Sequence, residues 1–225
     1  MKIKAIFFDI DNTLFPTDDF AELARRNAID AMIEMGLKAK PEEAYKRLLR
    51  VIKKYGSNYP RHFDAFLLKL GLKRDPKIIA AGIAAYHNTK TSILPYPGVP
   101  MVIIRLGGMG YKLYIASEGN VIKQWDKLIR LGLHNLFHGV FVTKKNKTKN
   151  FFLSLLKKLN LKPNEAVMVG DRSDKDITPA KKAGMQTVRI LGGVYSKQKS
   201  KVDADYKIKT MNELIKILER IEKDA

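Results

Sequence analysis

Ile3-Lys4-Ala5-Ile6-Phe7-Phe8-Asp9-Ile10-Asp11-Asn12-Thr13-Leu14-Phe15 is the stretch on which the reading of this chain turns. It predicts a first strand, apolar on both faces and therefore buried on both and central in its sheet. That strand leads into Asp9 and Asp11. A side chain and its second neighbour face the same side of an extended chain, so the two carboxylates are expected to project together. Two carboxylates aimed at one point repel unless something cationic sits between them. A divalent metal is the simplest partner, and hard oxygen ligands suit Mg²⁺. Asp and Asn are also common where a strand exits into a turn. On this segment alone both readings stay open.

Downstream the pattern turns helical. Asp18-Asp19 precede Phe20, Leu23, Ala24, Ala28, Ile29, Met32 and Ile33 at helical spacing, and Gly36 stops the run. Pro41-Glu42-Glu43 opens a second helix carrying Tyr45, Leu48, Leu49 and Ile52, and residues 55–60 read as a loop. A third helix is expected over 63–70 and a fourth over 76–87. No strand pattern appears between residues 16 and 93. The segment predicts an all-helical insertion of four helices, closed by Leu94-Pro95-Tyr96-Pro97-Gly98.

From residue 99 helices and strands alternate. Helices are expected over 99–107, 121–131, 150–159, 177–183 and 211–223, with strands over 112–116, 139–142, 166–169, 186–191 and 205–208. Such alternation predicts an α/β fold, a parallel sheet covered by helices on both faces. In such sheets ligands bind beyond the carboxyl ends of the strands.

With 225 residues, 45% of them hydrophobic, the chain is long enough for one large domain or a core with an insertion. The absence of Cys excludes disulfides, thiol catalysis and metal sites built on thiolates. The apolar start is too short for a signal peptide and is interrupted by Asp9, and no stretch is long enough to span a bilayer. The expectation is a soluble, cytoplasmic protein. A formal charge of +19 suits a polyanion partner, or an anionic substrate on a lysine-rich surface of the kind thermophiles carry. Acids do not keep pace with bases, which weighs against the thermophile version. The bases are spread along the chain and the aromatics read as core, so nucleic acid is not the expected partner.

Three more segments fall at strand ends. Ser117-Glu118-Gly119-Asn120 offers a hydroxyl and the N–H groups of a helix start, which hold phosphate oxygens well. Lys144-Lys145-Asn146-Lys147-Thr148-Lys149 precedes a helix. Gly170-Asp171-Arg172-Ser173-Asp174-Lys175-Asp176 delivers further carboxylates. Taken singly these read equally well as a cap, a solvated loop and an acidic turn. Together with the Asp pair, all four at the ends of parallel strands point to one site.

On these residues the chain resembles the haloacid dehalogenase-like hydrolases. Asp9-Ile10-Asp11-Asn12-Thr13 matches their DxDxT signature, Ser117 their second motif, a lysine before a helix their third, and Gly170-Asp171 through Asp176 their GDxxxxD fourth. Within the superfamily the resemblance is strongest to an archaeal group of glyceraldehyde 3-phosphate phosphatases. It extends to Tyr55-Gly56-Ser57-Asn58, Ala85-Tyr86-His87-Asn88-Thr89-Lys90 and Lys123-Gln124-Trp125. The resemblance implies a Rossmann-like core over 1–15 and 96–225 and a helical cap over 16–95. It implies an Mg²⁺-dependent phosphatase of a small phosphorylated metabolite. Asp9 would be the nucleophile, giving an aspartyl phosphate, and Asp11 the general acid and base, kept protonated by a raised pKa. Asp9, the backbone carbonyl of Asp11, and Asp171 would hold the metal. Ser117 and Lys147 would hold the transferring oxygens, and Asp176 would support lysine or metal from behind. Ser117, Glu118 and Gly119, with Asn58 and His87 of the cap, would contact substrate. Two features depart from the family pattern: Glu118 follows Ser117 where Asp or Asn is usual, and the third motif lacks its prolines. Lys147 is chosen over Lys145, and Lys144 and Lys149 are read as solvated charge. A sugar phosphomutase of the same layout and a basic polyanion-binding module are the competing readings. Monomer and homodimer both fit.

Overall fold

The computed structural model describes residues 2–192, 195 and 202–223. Its organising strand, β1 (Ala5–Phe8), is buried throughout. The strand ends at Phe8, short of the Asp9 and Asp11 pair expected at its end, because the chain beyond it bonds to itself. Thr13 and Leu14 donate their N–H groups to Ile10 O, and Asn12 donates to Phe15 O at 3.0 Å. Asn12 makes the turn at φ 54°, a left-handed conformation that Asn tolerates better than most residues. Asp9 still reads as an extension of the strand, its N–H donating to Val169 O at 3.0 Å. Asp11 lies inside the turn, so strand alternation is not what orients it.

The other strands are β2 (Lys112–Glu118), β3 (Gly139–Thr143), β4 (Ala166–Gly170), β5 (Gln186–Ile190) and β6 (Tyr206–Ile208). Among the described residues all pair in parallel, in the order β3-β2-β1-β4-β5-β6. β1 is thus internal, with β2 and β4 beside it. The carboxyl ends of β1, β2 and β4 carry Asp9, Ser117 and Asp171 side by side.

The chain divides into two compact units, Met1–Asp18 with Leu94–Ala225, and Asp19–Ile93. The second is helical. α1 (Thr17–Glu34) begins just before it, followed by α2 (Pro41–Tyr55), α3 (His62–Lys69) and α4 (Pro76–Thr89). Their apolar faces meet in a core that includes Ile29, Met32, Leu48, Val51, Phe66, Leu67 and Ile79. α2 shows why: Ala44, Tyr45, Leu48 and Val51 recur at helical spacing and are buried, Pro41 opens the helix, and Gly56 ends it at φ 80°.

The sheet unit adds α5 (Val99–Gly108), α6 (Val121–Arg130), α7 (Lys149–Lys158), α8 (Thr178–Lys182) and α9 (Leu214–Lys223). Ala5, Phe7 and Met168 face Phe152, Leu155 and Leu156 of α7 and Ala180 of α8. Ile6 and Phe8 point the other way by strand alternation. On that side α5 packs against β2 and α9 against α5. Fully burying a Phe stabilises by roughly 1.5–3 kcal/mol, so Phe7 and Phe8 anchor the strand from opposite faces. The helix expected over 177–183 is preceded by a π-turn, Ser173–Ile177, in which Ile177 N–H reaches Arg172 O. Such a turn is commonly associated with a site, and here it carries Asp176. Among the described residues no helix is long and apolar enough to cross a membrane.

Candidate active site

Asp9 stands at the centre. Its Oδ1 accepts hydrogen bonds from Ser117 Oγ and from Lys147 Nζ, each at 2.8 Å. Ser117 comes from the end of β2, where pairing with Val142 of β3 holds the strand extended. Lys147 is buried, also donates to Ala116 O at 3.2 Å, and forms an ion pair with Asp176. Burial pulls its pKa down, but Asp176 and Asp9 outweigh burial and hold the ammonium well above the usual lysine range. Its backbone is fixed too: the Lys147 N–H donates to Glu118 Oε1 at 2.6 Å, and Thr148 caps α7 by accepting from Phe151 N–H at 3.2 Å. Lys175 Nζ lies 3.4 Å from the same Glu118 oxygen and also reaches Asn146 Oδ1. Lys144, Lys145 and Lys149 are exposed.

Asp171 and Asp176 complete a carboxylate cluster. One oxygen from each of Asp9, Asp171 and Asp176 lies within 4.8 Å of the others, and all three residues are buried. Asp176 is pulled back onto the strand end, its Oδ2 accepting from Arg172 N–H at 2.9 Å. Gly170 permits this approach, because a Cβ there would run into the Asp176 carboxylate. Both Asp171 oxygens are buried, and among the described residues no donor from another residue reaches them. Burial first, then Asp176 and Asp9, push the Asp171 carboxyl up to about 8, with Lys147 opposing. Three buried carboxylates face one buried ammonium. Hard oxygens in excess of local positive charge, one pair of them undonated, fit a divalent cation such as Mg²⁺.

Asp11 has a separate environment. Its Oδ1 accepts from Thr17 Oγ1 at 2.6 Å and Lys127 Nζ at 2.5 Å, and its Oδ2 from Gln124 Nε2 at 3.2 Å. Burial pushes its pKa up, but the Lys127 ammonium and these hydrogen bonds outweigh burial and hold the carboxyl below the ordinary range. This runs against the raised value that an acid waiting to donate would need. The physical reason is Lys127, which reaches Asp11 from α6.

Glu118 turns to the Lys147 backbone and Lys175. Gly119, at φ 123°, has its N–H taken by Thr143 O at 2.9 Å. Asn58 and His87 are both exposed on the helical unit, Asn58 in the loop after α2 and His87 in the last turn of α4, against the Tyr86 ring. The sequence motifs do not include Lys127 or Thr17 and give Gln124 no role. One signal was present: Gln124 sits one turn before Leu128, on the buried face of α6. An amide in a core-facing position wants hydrogen-bond partners.

Comparisons with known proteins give the family and the fold. A family model described as haloacid dehalogenase-like hydrolase matches residues 3–184. The chain is 45% identical over 232 residues to the glyceraldehyde 3-phosphate phosphatase of Methanopyrus kandleri, covering 99% of this chain and 100% of that protein. A protein of the same name from Methanocaldococcus jannaschii is 45% identical over 227 residues, with 99% and 100% covered. The crystal structure of a phosphatase of the family from Thermococcus onnurineus superposes with a TM-score of 0.69 at 29% identity, covering 96% of this chain and 98% of that one.

Proposed function

The chain belongs to the haloacid dehalogenase-like hydrolase family, and from that premise we propose that it is an Mg²⁺-dependent phosphatase acting through an aspartyl phosphate. The substrate is a small phosphorylated metabolite, and glyceraldehyde 3-phosphate is the one its archaeal relatives favour by name. The observation that carries the reading is Asp9, whose Oδ1 is held by Ser117 and Lys147 beside the undonated carboxylate of Asp171.

Asp9 attacks phosphorus as the ester P–O bond breaks, which divides one difficult displacement into two easier ones. Asp11 gives its proton to the leaving oxygen. In the second step it takes a proton from the water that attacks phosphorus, and Asp9 is regenerated. The acid role needs Asp11 protonated against the pull of Lys127, and the approaching phosphate dianion favours that by like-charge repulsion. Ser117 Oγ and Lys147 Nζ, the two donors on Asp9 Oδ1, are assigned to the equatorial phosphoryl oxygens as fixed donors. Asp176 keeps Lys147 charged and in place. Asp9, Asp171 and the Asp11 backbone carbonyl are the assigned ligands of Mg²⁺, which when bound offsets repulsion between anionic nucleophile and anionic substrate. Substrate choice is assigned to the helical unit. Changing Asn58 or His87 should alter preference among phosphorylated trioses and hexoses more than it alters hydrolysis of an aryl phosphate.

The test is a screen of phosphorylated metabolites, with phosphate release measured in Mg²⁺ and in EDTA. Metal-dependent release from glyceraldehyde 3-phosphate above other sugar phosphates is expected. Release unaffected by EDTA would overturn the metal role, and no release from any phosphomonoester would overturn the reading as a whole.

A further inference from the structure

The Asp11 carboxyl is held from outside the four segments that make up the rest of the site. Of its three donors, two stand on α6, Gln124 and Lys127, three residues apart and so on one side of the helix. Gln124 is 3% exposed. Its Nε2 lies 3.2 Å from Asp11 Oδ2, 3.2 Å from Ser117 Oγ and 2.6 Å from Glu118 O. One amide therefore links the proton-transferring carboxyl to the hydroxyl that holds Asp9. Lys127 closes the other side, its ammonium lying between Asp11 Oδ1 and the face of Phe15, 5.8 Å from the ring centroid. A carboxyl that must face a leaving oxygen and then a water at the same phosphorus gains from a fixed rotamer. Besides the two α6 donors, Thr17 Oγ1 holds Asp11 Oδ1 at 2.6 Å.

We propose that Lys127, seconded by Gln124, is a positioning residue for the proton-transferring carboxyl, keeping the Asp11 side chain in register with Asp9 and Ser117. The proposal rests on the reading of Asp11 as the group that gives and takes the proton. The described contacts of the Lys127 ammonium are with Asp11 and Phe15, so it acts on the reaction through Asp11.

The experiment compares K127M, K127R, D11N and the D11N/K127M double variant with wild type, on glyceraldehyde 3-phosphate and on 4-nitrophenyl phosphate. The poor alkoxide leaving group needs its proton, while nitrophenolate hardly does. Removing the ammonium also lets Asp11 hold its proton more readily, so any loss in K127M reports lost positioning in excess of that gain. Its kcat on the triose phosphate should fall about 10-fold or more, with KM within about threefold. On the aryl phosphate its loss should stay within about threefold. K127R, which keeps a donor on Asp11, should recover most of the activity. In the D11N background K127M should lose no more than about twofold further, the non-additivity expected of residues acting in series. Equal loss on both substrates, or a loss that is undiminished in the D11N background, would overturn the proposal. The ratio of the two substrates decides even if K127M is partly unfolded, because a smaller folded fraction lowers both rates alike. D11N separates the two levels. If D11N itself shows no leaving-group dependence, the reading of Asp11 fails; if D11N shows it and K127M does not, only the role of Lys127 fails.

Discussion

The sheet unit and the helical unit treat charge in opposite ways. The sheet unit buries Asp9, Lys147, Asp171 and Asp176 at the carboxyl ends of its strands. In the helical unit the ion pairs Arg26–Glu42 and Arg74–Asp64 lie at the surface, and the core is apolar. Exposed pairs are worth little because water and salt screen them. Buried charges cost several kcal/mol each to desolvate unless closely paired. The contrast teaches where to look for chemistry: a cluster kept against that penalty is maintained for something other than stability. Substitutions in the two units should therefore separate activity from stability.

The sharpest way to break the contrast is Asp9→Asn, which removes nucleophile and metal ligand together. Turnover should vanish while the circular dichroism spectrum and melting temperature stay near wild type. A folded variant releasing phosphate at near wild-type rate would contradict the role of Asp9. Next comes Lys147→Ala, which removes a preorganised charge and should lower kcat roughly 10²–10³-fold. Lys144→Ala and Lys149→Ala, both at exposed positions, should stay within a few-fold. If Lys145→Ala is the crippled variant instead, the phosphate-holding lysine has been misassigned.

The third prediction concerns stability and pH in the sheet unit. The Asp171 carboxyl sits at about 8 in the metal-free fold, against an ordinary value near 4. Between those values the folded chain holds a proton that the unfolded chain has lost, so stability falls as pH rises. Melting in EDTA should drop from pH 5 to pH 8, at most about 1.4 kcal/mol per pH unit. Asp11, held low, would lose stability only on acidification below this window. Mg²⁺ competes with that proton and should raise the melting temperature more at pH 8 than at pH 5. A flat profile in EDTA with no response to Mg²⁺ would argue against the cluster as a cation site. The smallest effect belongs to the helical unit: Arg74→Ala breaks an exposed pair and should cost at most about 1 kcal/mol of stability. Its kcat on 4-nitrophenyl phosphate should be unchanged, and a loss of tenfold or more would blur the division between the units.

Much of the fold is legible in the sequence, because strands buried on both faces leave near-continuous apolar runs such as Ala166-Val167-Met168-Val169, separated by amphipathic helices. Two boundaries are not. β1 stops at Phe8 because Asn12 takes a left-handed turn, and the Ser173–Ile177 π-turn leaves no periodic trace. In the site, four lysines within six residues are indistinguishable by composition. What separates them is burial, fixed by the Glu118 carboxylate on the Lys147 N–H, a contact across 29 residues. Lys127 meets Asp11 across 116 residues of chain, so its effect on the acid could not be read from the DxDxT segment.

The central claim is that Asp9 carries the phosphoryl group. Enzyme mixed with glyceraldehyde 3-phosphate and Mg²⁺, then quenched with borohydride, tests it directly, because an acyl phosphate is reduced to the alcohol. Peptide mass analysis should find homoserine at position 9 and an unmodified aspartate at position 11. Phosphate release with no reduction at position 9, or reduction at Asp171 instead, would contradict the account.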